Sequence, residues 1–146
     1  MSRYYDVVGS GFLSSLGVTF HVIEHDDGTE VRGTFTLNKA AMGPPGFVHG
    51  GLLAALLDEA MGIAAHFSEY KVVSANLNLN YLKPVPLGQP MTVTARVSRK
   101  DGRKVYIDGL VTLATGEEAT RCEGLFVEAP NLFDGWGFRF IEQVGD

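Results

Sequence analysis

The sequence predicts an α+β domain in which a curved antiparallel sheet wraps around one long central helix. Three observations point there. From about Gly50 to Phe67 nothing breaks a helix, and the apolar residues cover most of its circumference. Segments before and after it are rich in β-branched and aromatic residues, and one alternates with period two. The pairs Asp27-Gly28, Asp101-Gly102 and Thr115-Gly116 separate those segments as turns do.

Residues 17 to 37, GVTFHVIEHDDGTEVRGTFTL, read as a hairpin in which Gly28 supplies the positive φ of a tight turn. The connector NKAAMGPPG follows, and its prolines and glycines exclude helix. Within the helix, Leu52, Leu53, Leu56, Leu57, Met61, Ile63 and Ala64 lie on most sides, so other structure must enclose it. VVSANLNLNYLKP then alternates, with Ala75, Leu77, Leu79 and Tyr81 on one face and Asn76, Asn78 and Asn80 on the other. PMTVTARVSRK, RKVYIDGLVTLA and EEATRCEGLFVEA complete a meander, giving the order strand, strand, helix, four strands. The tail PNLFDGWGFRFIEQVGD is too apolar for a disordered end; it is expected to pack on its own domain or a neighbour, with cover for a substrate entrance the lesser expectation.

At 146 residues, 45% hydrophobic and 20% charged, the chain is expected to be a single domain over 1–146 with a core that needs no staples. A net charge of −5 and no basic run longer than Arg99-Lys100 argue against nucleic acid and anionic membranes as partners. Cys122 is the only cysteine, which rules out an intrachain disulfide and fits a reducing, cytoplasmic setting. The first residues, MSRYYDVVGSGFLSSLG, lack the apolar core of a secretory signal, and no run of roughly 18 uninterrupted apolar residues occurs.

The stretch GFVHGGLLAALLDEAMG, Gly46 to Gly62, places a histidine and two glycines at the head of an apolar helix and two adjacent acids in its middle. A buried carboxylate is unfavourable by several kcal/mol (roughly, for an unpaired group) unless it is paired or hydrogen-bonded. So either the helix meets water there or the acids act. GPPGFVHGGLLAALLDEAMG, followed by SANLNLNYLKPVPLG, resembles the hotdog-fold acyl-CoA thioesterases, in the branch of the phenylacetate-pathway and 4-hydroxybenzoyl-CoA types. The likeness covers roughly residues 30 to 128 and rests on HGG opening a helix, an acid nine positions after His49, and Tyr-x-x-Pro after an alternating strand.

That resemblance implies a hotdog fold, a homo-oligomer built from dimers (a dimer or a dimer of dimers), and hydrolysis of acyl-CoA without metal or other cofactor. It puts the catalytic acid on Asp58, the amide that polarises the thioester carbonyl on Gly50, and a hydroxyl that holds water or the carboxylate on Ser74. His49 is expected to shape the carbonyl site or hold its loop, and Gly51, Glu59 and Asn76 to border the substrate. Many members carry Asn or Gln six residues before the histidine; here that residue is Gly43.

The chemistry suits these residue types. Thioester hydrolysis needs a donor for the oxygen that gains negative charge, and a group that activates water or attacks directly. The first N–H groups of a helix have no intrahelical partner, so Gly50 and Gly51 offer donors with no side chain in the way. Asp58 supplies a general base or a nucleophile. Yet Gly50 and Asp58 are eight residues apart on one helix, about 12 Å at ~1.5 Å per residue, whereas both must come within about 3–3.5 Å of one reacting centre. Two antiparallel helices from different chains, related by a twofold axis, resolve this.

Other candidates have simpler readings. His21 and His25 have no cysteine cluster near them for a metal, and His66 suits the helix C-terminus. Arg99, Lys100, Arg103 and Lys104 form a solvated turn that is also able to meet coenzyme A phosphates. Cys122 reads as a small core hydrophobe. Two rival functions stay open: an acyl-thioester hydratase or dehydratase, which needs a histidine at the α or β carbon, and a non-catalytic acyl-CoA binding module.

Overall fold

The computed structural model describes residues 3–133 and 144–145. It forms one antiparallel sheet in the order β4-β7-β6-β5-β3-β2-β1-β8. The strands are β1 (Arg3–Val8), β2 (Thr19–His25), β3 (Gly28–Thr36), β4 (Val72–Tyr81), β5 (Pro90–Asp101), β6 (Lys104–Leu113), β7 (Glu118–Glu128) and β8 (Val144–Gly145). One turn of helix, α1 (Phe12–Ser15), follows β1, and the long helix α2 (Gly50–Phe67) lies between β3 and β4.

The expected hairpin is present, with Gly28 at φ 140°, as are α2 and the four-strand meander. The sequence does not announce β1 and α1: among residues 4–8 of the first strand only Val7 is fully buried, so the alternation there is weak. β8 pairs with β1 through Tyr4 and Gly145, so the end of the tail joins its own sheet. The expectation for residues 134–143, including the tryptophan, lies outside the described residues.

Strict alternation builds the concave face. In β3, Thr29, Val31, Gly33 and Phe35 point inward between exposed or half-exposed neighbours, and β5, β6 and β7 add Met91, Val93, Val105, Ile107, Val111, Cys122 and Phe126. Against this face lies α2, nine of whose residues are buried. By composition α2 is apolar enough to cross a membrane, but the sheet takes up that apolar surface instead. Two glycines set how closely the layers meet. A Cβ on Gly109 would stand 2.9 Å from Leu57 Cδ2, and one on Gly124 would stand 2.8 Å from Met61 Cε. The helix therefore sinks into the sheet where β6 and β7 have no side chain.

One stripe of α2 stays uncovered. Gly51, Ala54, Ala55, Asp58, Glu59 and Gly62 are exposed or half-exposed, and they repeat at helical spacing. Both acids lie on it. Beside this stripe runs β4, which pairs only with β7 and leaves its other edge unpaired among the described residues.

Candidate active site

The loop before α2 folds back on the helix start. Gly43 N–H donates to the Phe47 carbonyl at 3.0 Å, and His49 N–H donates to that of Ala41 at 2.7 Å. A Cβ on Gly43 would stand 2.7 Å from His49 Cα. That contact gives a physical reason for glycine six residues before the histidine: this loop has no room for a side chain there.

His49 caps the helix. Its Nδ1 accepts the Gly51 N–H at 2.9 Å, and its carbonyl accepts from Leu52 and Leu53. Because Nδ1 is the acceptor, the proton of the neutral ring is on Nε2. The ring borders a depression with Phe12, Leu16, Met42 and Leu52, apart from the one that Gly50 lines. Gly51 is therefore a correction to the sequence reading: its N–H already has a partner, and the side-chain cap consumes that donor. The Gly50 N–H remains, bonded to no group among the described residues.

Tyr81, at the end of β4, fixes this corner. Its hydroxyl donates to the Gly50 carbonyl at 2.7 Å, and its ring lies 3.5 Å from where a Gly50 Cβ would be. Tyr81 is a positioning residue that the sequence reading placed on an apolar face; Tyr-x-x-Pro was its only signal.

Two turns further along α2 a second constellation forms. Ser74 Oγ donates to Asp58 Oδ1 at 2.5 Å, a short charge-assisted bond that leaves Oδ2 open. They face a pocket of about 410 Å³ whose apolar wall includes Ile63, Val72 and Phe126. Ser74 reaches this side only because of a β-bulge. The register of β4 on β7 shifts between Ser74 and Asn76, leaving Ala75 as an extra residue. Without it Ser74 would share the outer face with Asn76 and Asn78.

The adjacent acid behaves differently. Glu59 accepts from Ser10 Oγ at 2.7 Å and from the Ser10 N–H at 3.3 Å, tying the turn before α1 to the helix. It lines the same pocket as Asp58 but acts there as an anchor. Asn76 is not brought to Asp58 within one protomer. Beyond the bulge it faces the outer surface, in a depression with Asn78, Ser98, Arg99 and Tyr106, apart from the Asp58 pocket. The basic turn is largely engaged: Arg99 stacks on Tyr106 at 3.7 Å, Lys100 meets Glu128 at 2.7 Å, and Arg103 donates to the Glu128 carbonyl at 3.0 Å.

The single described protomer thus brings Asp58 to Ser74, and His49 to Gly51, but does not bring Asp58 to Gly50. A model of the thioesterase superfamily matches residues 45–120. The chain belongs to the thioesterase superfamily. The matched segment runs from the loop before α2 to β7 and holds both constellations. The chain is also similar to the acyl-coenzyme A thioesterase THEM4 of Rattus norvegicus, 40% identical over 91 residues, covering 62% of this chain and 36% of that protein. Among solved structures it resembles the thioesterase superfamily protein RHA08564, at 39% identity and TM-score 0.70, over 75% of this chain and 53% of that one. The E. coli PaaI protein from the phenylacetic acid degradation operon shares the fold, with TM-score 0.73 over 82% of this chain and 85% of that one, at 18% identity. The chain spans about a third of the rat relative and about half of the RHA08564 chain. The hotdog fold expected from the motif is the fold observed.

Cys122 lies in the core, at 2% exposure, within reach of the Asp58 charge. Burial pushes its thiol up to about 11 from 9.0, and the nearby carboxylates Asp58, Glu123 and Asp108 push the same way. At pH 8 the native thiol is therefore protonated, and thiolate is about a hundredfold scarcer than for an ordinary cysteine. Iodoacetamide at pH 8 is expected to leave the folded protein unlabelled for at least tenfold longer than the urea-unfolded chain; mass spectrometry counts the adduct.

Proposed function

We propose that the protein hydrolyses acyl-coenzyme A to the free acid and coenzyme A, at a site shared between two copies of the chain. One observation carries this reading. The carboxylate, oriented by Ser74, and the unbonded Gly50 N–H lie about two helical turns apart on the side of α2 that borders β4, where neither end is fully buried. Antiparallel apposition of two such helices sets each Gly50 opposite the other copy's Asp58, twice per dimer. The open edge of β4 supports the pairing, since a ten-residue edge strand offers a row of backbone groups to a second copy.

In this arrangement Asp58 Oδ2 takes a proton from water as the water oxygen attacks the thioester carbon. Alternatively the carboxylate attacks first, and water opens the anhydride. The Gly50 N–H of the second copy meets the oxyanion, reinforced by the partial positive charge at the helix start. Collapse expels the coenzyme A sulfur, which receives the proton. The names of the relatives support the thioester class.

Subunit mixing tests the shared site. Gly50→Pro deletes the donor while suiting the fold: Gly50 is the first helical residue, where proline is favoured, and His49 has the extended ψ of 129° that proline requires before it. A lost oxyanion donor is expected to lower kcat about a hundred- to a thousandfold. Asp58→Asn disables the other half. Mixed and re-equilibrated, the two variants are expected to regain about a quarter of wild-type thiol release, because about half of the dimers are hybrid and each carries one intact site. Release no greater than that of the separate variants refutes the shared site.

A further inference from the structure

Glycine inside a helix is unfavourable relative to alanine, so it stays where something excludes a side chain. Fourteen of the fifteen glycines whose surroundings are described have either a positive φ or an atom within 4 Å of where a Cβ would stand. Gly62 has neither. It lies inside α2, one turn after Asp58, and lines the same pocket as Asp58, Ser74, Ile63, Val72 and Phe126. The space over it is therefore empty of the protomer's own atoms, on the side where the carboxylate acts.

We infer that Gly62 sets acyl selectivity: the acyl chain of a bound thioester crosses the space that a side chain at this residue would fill. The inference rests on the Asp58 reading above for where the carbonyl sits. Residues four apart on a helix face have Cβ atoms about 5–6 Å apart, a span of about four carbon–carbon bonds at ~1.5 Å each. An acetyl group held at Asp58 stops short of Gly62. An octanoyl or phenylacetyl group reaches it, and the apolar wall of Ile63, Val72 and Phe126 suits such groups.

The test uses the whole chain with Gly62→Ala and Gly62→Leu. Alanine meets no protein atom, so it is expected to raise Tm by about 2–4 °C through helix propensity. It should also lower the ratio of kcat/KM for octanoyl-CoA to that for acetyl-CoA about tenfold, the usual effect of one misplaced methyl group; leucine should lower it further. Binding of non-hydrolysable ketone analogues of acetyl-CoA and octanoyl-CoA, followed by calorimetry, is expected to show the same discrimination. An unchanged ratio in both measurements overturns the inference. So does an equal loss on both acyl groups, or dissociation of the assembly in ultracentrifugation, which would give the space to a second copy's helix. If the wild type releases thiol from no acyl-CoA, the hydrolytic reading fails; the analogue binding still decides the role of Gly62.

Discussion

Asp58→Asn is expected to lower thiol release from the best acyl-CoA substrate about a hundred- to ten-thousandfold, the range associated with a positioned acid–base group. The substitution keeps the shape of the side chain. Ser74 Oγ, 2.5 Å from Oδ1 in the native protein, still finds an acceptor in the asparagine carbonyl, so the β-bulge and the pocket wall have no reason to move. What disappears is the anionic oxygen that takes the proton or attacks the carbon. Sedimentation and Tm are expected to match wild type, which separates a chemical effect from a folding one. The control is Glu59→Gln: the neighbouring acid holds Ser10 rather than Ser74, and its loss should leave turnover at least tenfold above that of Asp58→Asn. If Glu59→Gln and Asp58→Asn are equally impaired, the division of labour between the two acids is wrong.

Phe20→Ala is expected to lower stability by about 3–5 kcal/mol, the usual effect of emptying a buried phenylalanine site. Phe20 on β2 has no exposed surface, and its ring stands edge-on to Phe35 at 5.4 Å with planes 84° apart. Gly33 between them holds the space for both rings, since a Cβ there would lie 2.3 Å from Phe35 Cζ and 3.0 Å from Phe20 Cδ1. The site therefore collapses poorly: strands β2 and β3 are held by their ladder, and the cavity remains. Domains of this kind have about 5–15 kcal/mol in total, so the loss is about a fifth of the whole or more. Urea unfolding at fixed protein concentration measures it as a lower midpoint with unchanged slope. A change below about 1 kcal/mol would show that this end of the sheet packs loosely.

Much of the architecture was legible because it follows from local rules. The α2 run lacks anything that breaks a helix, and Gly28 and Gly102 take the positive φ that their turns demand. Strand β1 was not legible, because Val7 alone among residues 4–8 is fully buried and makes no period. Within the site, the motif separated Asp58 from Glu59 by resemblance alone. Physically the two acids are equivalent in sequence: both sit on the uncovered stripe, one residue apart. Ser10 and Ser74, which distinguish them, lie 49 and 16 residues away.

The sequence by itself determined the helix, the order of most strands, the glycines at the helix start and the acid two turns later, since each depends on neighbours within a few residues. Only the tertiary structure decided which groups meet. One extra residue in β4 reverses which side chains face the helix, because side chains alternate with period two, and so it sends Ser74 inward and Asn76 outward. The cap similarly takes the Gly51 donor and leaves that of Gly50, which depends on the position of the His49 ring. Such outcomes turn on ångström-scale placement of distant segments, which no local pattern encodes.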